Sequence, residues 1–468
     1  MSFKIGEFDT IVAISTPPGE GGLGVVRVSG DRAITIADKI FRSKSGLKVR
    51  DQKSFTASFG HVILEWADEA KIVDEAILLL MRSPKSYTRE DVVEISTHGS
   101  AAVLGAVVQS ALEAGARLSE PGEFTKRAFL NGRIDLLQAE AVLDLIRAKT
   151  DKARQWASSQ LEGHLSEKIH GAQKELVDIL CHLEAALDFP EEELGAKKLS
   201  ELEAKLSSVA SSLRKVLSAA ELGIVAKQGL TVAIIGKPNV GKSSLMNRLI
   251  GKNRVIVTPF PGTTRDVVEH EIQIGGFLVS LLDTAGIHET DHPIERAGIE
   301  VSKKTFFAAD ILLCVFDGSV QGPDPADLKF IQDLPETRKI LVINKTDLAP
   351  KLDPAKLGSL VPEARVVKAS CILETGVQAL EKEILKVITK GNFEISEEAV
   401  ISSPRQKDLL EKTCKNIENA VNACGRKLSL EFVAVDVRLA LEPLGEMVGD
   451  VVTEDVLEAL FSQFCVGK

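Results

Sequence analysis

Residues 231–243 read TVAIIGKPNVGKS, and this stretch sets the architecture of the middle of the chain. Thr231–Ile235 is apolar and β-branched, as in a buried strand, and the GxxxxGK[ST] pattern that follows leads into helical spacing. In such a loop, glycines let backbone N–H groups surround phosphate oxygens. Lys242 then carries a charge to the β- and γ-phosphates, and the Ser243 hydroxyl completes a Mg²⁺ shell. The strand–loop–helix context favours phosphate binding over the alternative, a structural glycine-rich turn.

The base of the nucleotide is predicted by Asn344-Lys345-Thr346-Asp347, which follows the apolar run 340–343. The Asp347 carboxylate can accept hydrogen bonds from N1–H and the exocyclic amine of guanine, whereas adenine presents an acceptor at N1. Asn344 and Lys345 are expected to brace the loop and cover the base. A turn with a helix cap is the alternative for this motif alone, but its position after a phosphate loop favours guanine.

Two motifs between these predict the metal site. Residues 283–286 read DTAG after an apolar run, so the Asp283 carboxylate is expected to hold Mg²⁺ through water, with the Gly286 N–H sensing the γ-phosphate. Residues 262–266 read GTTRD, and we expect the Thr264 hydroxyl to bind Mg²⁺. Four ordered motifs in one α/β pattern therefore predict a GTPase that uses Mg²⁺.

Composition limits the cellular setting. The chain has 468 residues, enough for about three domains, and its 44% hydrophobic content supports sizeable cores. It has no apolar run near the roughly 18 residues of a membrane span and no signal-peptide pattern, so we expect a cytoplasmic protein without a membrane partner. The six cysteines lack CxxC or metal-ligand spacing and are predicted to be reduced thiols. The net charge of −10 argues against general polyanion binding but allows a local basic patch.

The order of patterns predicts a multidomain protein of α/β and α+β class. Residues 1–122 are strand-rich, 123–224 are helical, 225–388 hold the GTPase motifs in βαβ alternation, and 389–468 are helical again. Because two amphipathic helical segments flank the α/β segment, we expect a Ras-like P-loop domain inserted into a helical domain. The strand candidates in the first segment are Ile11–Ile14, Gly24–Val28, Ala76–Met81 and Val92–Ser96.

Strings outside the nucleotide motifs are more specific than the phosphate loop. They are DTI at 9–11, TPPG at 16–19, GLGVVRVSG at 22–30, PGEFTKRAFLN at 121–131, DFPEE at 188–192 and FCVGK at 464–468. On these strings and the GTPase motifs, the chain resembles, over essentially its whole length, the MnmE (TrmE) family of bacterial tRNA-modification GTPases, which is among the TrmE-Era-EngA-like GTPases. The resemblance implies that residues 1–122 form a folate-binding-like domain through which two copies dimerise.

The resemblance also implies a reaction. The family works with the FAD-dependent protein MnmG on the wobble uridine of certain tRNAs and adds an aminomethyl or carboxymethylaminomethyl group at carbon 5. The one-carbon unit is implied to come from a tetrahydrofolate derivative, 5-formyl- or 5,10-methylene-tetrahydrofolate, held at the homodimer contact. By matching motifs, the folate site is Arg27, Glu94, Arg133 and Lys468. Arg133 stands where the family often has lysine, which keeps the charge but changes its geometry.

The way GTP is hydrolysed is also implied by the resemblance. Ras-like GTPases orient the attacking water with a glutamine after the DxxG glycine, but this chain has Ile287 there. In the family, two GTPase domains meet across the nucleotides and a K⁺ ion replaces an arginine finger. Glu295 matches the family glutamate that positions the water, although a solvated helix residue is the alternative. The matching K⁺ positions are Asn239, Thr258, Phe260 and Thr263.

The loop after the last strand of the GTPase segment departs from the usual pattern. Related GTPases often have Ser-Ala-Lys or Ser-Ala-Arg there, whereas this chain has Ser370-Cys371-Ile372. Because the loop's contacts with the base are largely through backbone, we expect guanine specificity to survive. The complete predicted GTP-binding set is Asn239, Val240, Gly241, Lys242, Ser243, Ser244, Thr258, Pro259, Phe260, Pro261, Gly262, Thr263, Thr264, Asp283, Thr284, Ala285, Gly286, Asn344, Lys345, Thr346, Asp347, Ser370, Cys371 and Ile372.

Cys465 and the overall function each have alternatives. Cys465 is either a catalytic nucleophile or a small residue packed beside Phe461 and Phe464. One rival function is a ribosome-assembly GTPase, which often carries a KH-like domain with a GxxG loop, a pattern that the C-terminal segment lacks. The other rival is a conformational switch that leaves all tRNA chemistry to its partner.

Overall fold

Two compact units make up the chain in the computed structural model. The first comprises Met1–Leu143, Ile169–Asp178 and Val437–Lys468, and the second comprises Asp144–Lys168 and Ile179–Asp436. No helix in the described part of the chain is both long enough and apolar enough to cross a membrane. The structure describes residues 9–66, 69–188, 196–253, 269–283, 309–322, 325, 328, 338–362, 364–373, 375–389 and 400–468.

The first unit is built on a seven-stranded sheet with the order β3-β4-β5-β6-β2-β1-β7. Its neighbours pair antiparallel except β1 and β7, which are parallel. The four predicted strands are present, and β2 is longer than expected. The elements are β1 (Ile11–Ile14), β2 (Gly21–Ser29), α1 (Ala33–Ile40), β3 (Phe41–Ser43), a 3₁₀ turn (Val49–Asp51), β4 (Thr56–Trp66), β5 (Glu69–Met81), β6 (Val92–Gly99), α2 (Ala101–Glu113) and β7 (Arg117–Leu118).

One face of this sheet forms a core with α1 and α2. Val26 and Val28 of β2 are fully buried and pack in the same cluster as Ile36 of α1 and Val107 of α2. Because strand side chains alternate between faces, Arg27 lies on the opposite face, where its strand neighbour across the ladder is Glu94. The alternation thus separates a dry face from a face that carries charged side chains.

A buried ion network joins this sheet to the helices that follow. Arg127 is 1% exposed, and it donates to the Asp9 carbonyl at 2.8 Å, to Glu123 at 2.8 Å and to Glu90 at 3.1 Å. Burial raises the pKa of Glu123, but hydrogen bonds, first that from Arg117, outweigh burial and lower the pKa to about 2. The buried charges are therefore satisfied, as buried ions must be.

Helices make up most of the described residues between 123 and 228. The ends of α5 have local causes: the Thr150 hydroxyl caps its start by accepting from the Ala153 N–H at 3.2 Å, and Gly163 ends it with φ +97°. The helices are α3 (Glu123–Leu130), α4 (Leu136–Arg147), α5 (Asp151–Glu162), α6 (His164–Asp188), α7 (Ala196–Ser218) and α8 (Ala220–Gln228).

The second unit contains a six-stranded sheet with the order β13-β12-β11-β8-β10-β9. All its neighbours are parallel except β9 and β10. Its parallel strands are nearly continuous apolar runs, as expected for a sheet covered on both faces. The elements are β8 (Leu230–Ile235), α9 (Lys242–Asn253), β9 (Glu269–Ile274), β10 (Phe277–Asp283), β11 (Ile311–Asp317), β12 (Arg338–Asn344), α10 (Pro354–Leu360), β13 (Arg365–Lys368) and α11 (Val377–Thr389).

Segments from before and after this sheet pack together within the second unit. The Ser402 hydroxyl donates to Asp144 at 2.9 Å and to Gln160 at 3.1 Å. Gly223 of α8 lies so close to residue 401 that a Cβ there would stand 2.0 Å from the Ile401 carbonyl oxygen. The last helices are α12 (Pro404–Gly425), α13 (Leu430–Val448) and α14 (Glu454–Phe461), and α12 packs along α7. The predicted fold class is confirmed.

Candidate functional site

The phosphate loop joins β8 to α9 at the carboxyl edge of the parallel sheet. Its backbone takes left-handed or similar conformations at Gly236 (φ +150°), Asn239 (φ +63°) and Gly241 (φ +98°), which turns successive N–H groups inward. The Lys242 ammonium donates to the carbonyl oxygens of Gly236 at 2.8 Å and Lys237 at 2.9 Å, so it lies over the loop. Ser243 and Ser244 are exposed in the first turn of α9. This arrangement suits a triphosphate with its metal.

Asn344, at the end of β12, connects this loop to the base-recognition loops. Its side-chain amide is 2% exposed and donates from Nδ2 to the Val240 carbonyl oxygen at 2.8 Å. The Oδ1 atom of the same side chain accepts from the Cys371 thiol at 3.3 Å. Three segments far apart in sequence therefore meet at one buried amide.

Asp347 is held ready for a base by the loop after β13. The Ser370 hydroxyl donates to Asp347 Oδ1 at 2.6 Å, and Thr346 donates from its hydroxyl to the Ala369 carbonyl at 3.0 Å. With one carboxylate oxygen engaged by a hydroxyl, the orientation of the carboxylate is fixed in advance of a ligand. That is the arrangement required of a group that reads one edge of guanine.

Lys345 makes a contact that sequence reasoning did not anticipate. Its ammonium donates to Asp317, the last residue of β11, at 2.6 Å, and its backbone is left-handed with φ +61°. Burial raises the pKa of Asp317, but hydrogen bonds from Lys345 and Ser319 outweigh it and leave the pKa below its ordinary value. The ion pair fixes the lysine stem beside the base loop.

The departure at Cys371 has a structural consequence. The thiol is buried and its pKa is raised by that burial, so it stays protonated and can donate to Asn344. The Cys371 carbonyl accepts from Arg248 Nε of α9 at 2.8 Å, a contact for which the sequence gave no signal. Ile372 is 73% exposed. The loop after β13 is thus hydrogen-bonded to α9 by the side chain of Arg248 in α9, and not by a side chain of the loop.

Several predicted residues lie outside the described residues, and their contacts stay predictions. Asp283 is described only as the end of β10, paired in the ladder with Ile234. In the described part of the chain, no group of three His, Cys, Asp or Glu side chains is arranged to hold a metal ion. Outside the description are Thr258, Pro259, Phe260, Pro261, Gly262, Thr263, Thr264, Thr284, Ala285, Gly286 and Glu295.

A second cluster lies in the first unit, where three of the four proposed folate residues come together. Arg27 and Glu94 form an ion pair at 2.8 Å with side chains only 14% and 23% exposed. Burial lowers the pKa of Lys468, and the nearby Arg27 charge lowers it further, partly offset by Glu94. The Lys468 ammonium is therefore close enough to the ion pair of Arg27 and Glu94 for both charges to act on its pKa.

Aromatic rings extend this cluster to the fourth residue. The Arg27 guanidinium lies 5.4 Å from the ring centre of Tyr87 and 5.6 Å from that of Phe124. The Arg133 guanidinium lies 4.7 Å from the centre of the same Tyr87 ring and donates to the Tyr87 carbonyl at 3.1 Å. Sequence reasoning missed Tyr87, although it is the only tyrosine in the chain.

The C-terminal CVGK segment is fixed against the N-terminal sheet. The Gly122 N–H donates to the Cys465 carbonyl at 3.4 Å, and the Ser15 hydroxyl donates to the Gly467 carbonyl at 3.2 Å. Gly467 has φ +94°, and a Cβ there would lie 2.2 Å from the Ile14 carbonyl oxygen. Cys465 is exposed, so its proposed role as a nucleophile stays open.

Comparisons with known proteins agree over the whole length. Residues 10–133 match the family model described as GTP-binding protein TrmE N-terminus, and residues 136–465 match the MnmE helical domain. A tRNA modification GTPase MnmE from Alkaliphilus oremlandii is 42% identical over 460 residues, covering 98% of this chain and 99% of the relative. Another from Geobacillus thermodenitrificans is 44% identical over 467 residues, covering 99% of this chain and 100% of the relative.

The close approach at Gly241 generates a prediction for nucleotide binding. The Cβ of an alanine at position 241 would lie 2.2 Å from Asn344 Nδ2. The alanine backbone would also have to adopt φ +98°. Because both the strain and the lost amide contact act on the phosphate loop, Gly241→Ala is expected to weaken GDP binding by about a hundredfold. Titration with a fluorescent GDP analogue measures the change.

Gly251→Ala is the matched control. It lies in α9, and an added Cβ meets nothing within 4 Å. GDP binding is expected to stay at the wild-type level, with a small gain in helix stability of about 1 kcal/mol or less. Wild-type affinity in Gly241→Ala would contradict the role assigned to Asn344.

Proposed function

Because this chain belongs to the MnmE family of tRNA modification GTPases, and is thus a GTP hydrolase that acts in tRNA modification, we propose a specific form of that activity. It is a K⁺-dependent GTPase that, with the FAD-dependent protein MnmG, modifies the wobble uridine of tRNA at carbon 5. The one-carbon unit comes from a tetrahydrofolate derivative, and the working form is a cytoplasmic homodimer. The junction of the phosphate and base loops at Asn344 is the observation that supports the GTPase part of the proposal most directly.

The nucleotide site accounts for Mg²⁺ and base selection. Ser243 stands exposed beside the loop that carries Lys242, and a hydroxyl is an oxygen ligand of the kind Mg²⁺ takes. We assign Ser243 and Thr264 as its protein ligands. When bound, Mg²⁺ neutralises charge on the β- and γ-phosphate oxygens. Asp347 accepts from the guanine edge while Ser370 keeps the carboxylate oriented.

Potassium is proposed to bind beside the phosphate loop. Asn239 is exposed at a left-handed position of that loop, so its amide oxygen is available to a hard cation. Thr258, Phe260 and Thr263 are proposed to complete the site with backbone oxygens. A K⁺ ion held there would supply the positive charge that an arginine finger gives in other GTPases, and Glu295 would position the attacking water, which Ile287 cannot do.

The water-positioning role of Glu295 is tested by substitution. Glu295→Ala is expected to abolish K⁺-stimulated GTP turnover while sparing GTP binding, because the residue acts on water rather than on the nucleotide. Phosphate release is measured in KCl and in NaCl at equal ionic strength, with the neighbouring Glu300→Ala as control. Near-normal turnover in Glu295→Ala would remove this residue from the mechanism.

The folate site is proposed at Arg27, Glu94, Arg133 and Lys468. Three of these side chains are cationic, which suits the carboxylates of a folate tail, and Glu94 can accept from N–H groups of a pterin ring. The partly exposed ring of Tyr87 beside Arg27 gives a flat apolar surface of the kind that such a ring packs against. The donor set therefore fits the cofactor, which when bound would carry the one-carbon unit.

Binding of 5-formyl-tetrahydrofolate to the purified full-length protein tests this site. Lys468→Met is expected to weaken binding by about tenfold or more, because a charge-assisted hydrogen bond to a carboxylate is lost. Since the pKa of Lys468 lies below its ordinary value, wild-type affinity should fall with rising pH sooner than ordinary lysine titration would give. Isothermal titration at several pH values measures both effects.

An exposed lysine on β5, Lys71, provides the control for this experiment. Lys71→Met removes a charge from the same unit and should leave folate affinity unchanged. Equal affinity in Lys468→Met and wild type would remove Lys468 from the site. Absence of folate binding by the wild-type protein would instead favour a conformational switch that leaves the one-carbon chemistry elsewhere.

A further inference from the structure

One edge of the first unit is strongly basic although the chain as a whole is acidic. The protein has 57 Lys and Arg against 67 Asp and Glu. Residues 39–53, KIFRSKSGLKVRDQK, reverse this balance and contain only one acidic residue, Asp51. We call the following set the basic edge: Lys39, Arg42, Lys44, Lys48, Arg50, Lys53, Arg82 and Lys85.

Hydrogen bonds between side chains and backbone place the segments that carry these residues next to one another. Arg42 donates to the Asp38 carbonyl at the end of α1 at 2.8 Å, and the Arg50 N–H donates to the Asp38 carboxylate at 3.2 Å. From the other side, Arg82 donates to the carbonyls of Arg50 at 2.7 Å and Gln52 at 3.1 Å. The end of α1, the 3₁₀ turn and the start of the β5–β6 connection are therefore adjacent, beside the edge strand β3.

Much of this charge is not cancelled within the protein. Among the described residues, the guanidinium groups of Arg42 and Arg82 donate hydrogen bonds to neutral carbonyl oxygens. No carboxylate there balances their positive charge. Lys48 and Lys53 are exposed and form no ion pair with any residue that the structure describes. Arg50 pairs with Asp38, and Lys44 pairs with Glu75 at 2.9 Å. The surface retains several solvated cations, which is the usual footprint of a polyanion site.

An exposed aromatic residue stands within this surface. Phe55 is 61% exposed and has φ +59°, a left-handed backbone that costs a non-glycine residue of its size about 1 kcal/mol or more. Its N–H donates to the Leu80 carbonyl at 2.7 Å, which fixes the backbone of Phe55 two residues after Lys53. Because the side chain is mostly exposed, its burial does not account for the strained backbone at this position. Aromatic side chains among cations are the means by which proteins stack unpaired bases.

We propose that the basic edge is a surface that binds tRNA, with its lysines and arginines on backbone phosphates and Phe55 stacked on an unpaired base. This inference rests on tRNA being the substrate of the proposed function. The alternative partner is an acidic surface of another protein, but such a partner would not explain why Phe55 is exposed with a strained backbone. Separated, flexible lysines also suit a phosphate backbone, whose charges are read without fixed geometry.

Charge reversal in the full-length protein tests the phosphate contacts. Lys48→Glu/Lys53→Glu should lower the affinity for fluorescently labelled unfractionated tRNA at least about tenfold at 100 mM KCl. The slope of log K against log [KCl] should become shallower by about 1 to 2, since two phosphate contacts are lost. Fluorescence anisotropy measures both values. GTP turnover without tRNA should stay unchanged.

Lys168→Glu/Lys174→Glu is the matched control. Both lysines are exposed on α6 and carry the same change in net charge. This variant should bind tRNA nearly as well as wild type. Equal losses in the two double variants, or no loss in either, would overturn the proposal. So would unchanged tRNA binding by Lys48→Glu/Lys53→Glu together with lost capture of purified MnmG, because that result identifies a protein partner.

Phe55→Gly tests the stacking contact separately. Glycine accepts the left-handed backbone without strain, so the variant should fold at least as stably as wild type. Its tRNA affinity should fall about tenfold with an unchanged salt slope, because no charge is removed. Wild-type affinity would overturn the role of Phe55. Failure of the wild-type protein to bind tRNA would overturn the inference, whereas folate binding and K⁺-stimulated turnover report on the proposed function independently.

Discussion

A single buried amide, that of Asn344, connects the phosphate loop to the loop after β13. Its Nδ2 fixes the phosphate loop through Val240, and its Oδ1 receives the thiol of Cys371 from the base loop. A side chain that is 2% exposed and bonded at both ends cannot move without leaving a polar group unsatisfied. The loop that binds the phosphates and the loop that recognises the base are consequently held in a fixed position relative to each other.

The sheet order makes this connection possible. β8, β10, β11 and β12 are parallel, so the loops that follow them emerge at the same edge, where ligands bind in open α/β sheets. In the first unit, the charged cluster stands on the face of a mainly antiparallel sheet that lies opposite α1 and α2. There the last residues of the chain, ending in Lys468, return to the strand that carries Arg27. The nucleotide site thus depends on parallel strands whose following loops meet at one edge, whereas the charged cluster depends on one face of a mainly antiparallel sheet.

Much of this could be predicted from sequence where short-range rules apply. The phosphate loop, the NKTD motif and β1 depend on local patterns, and the fold class follows from their order. The hydrogen bond from the Cys371 thiol to Asn344 and the Arg248 contact could not be predicted, because each depends on residues from separate segments, 27 and 123 positions apart, meeting in space. Arg27, Glu94 and Lys468 were grouped by resemblance alone, and no pattern in the chain indicated Tyr87 between Arg27 and Arg133. The contacts of Thr264 and Glu295 stay predictions.

The most direct test of the account is the nucleotide preference of Asp347→Asn. Asparagine keeps an oxygen for the Ser370 hydroxyl, but its amide donates where the carboxylate accepted, so it opposes the guanine edge and complements the carbonyl at carbon 2 of xanthine. Equilibrium binding of GDP and xanthosine diphosphate to both proteins gives the answer. The account predicts GDP binding about a hundredfold weaker, with xanthosine diphosphate now preferred. An unchanged preference for GDP would contradict it.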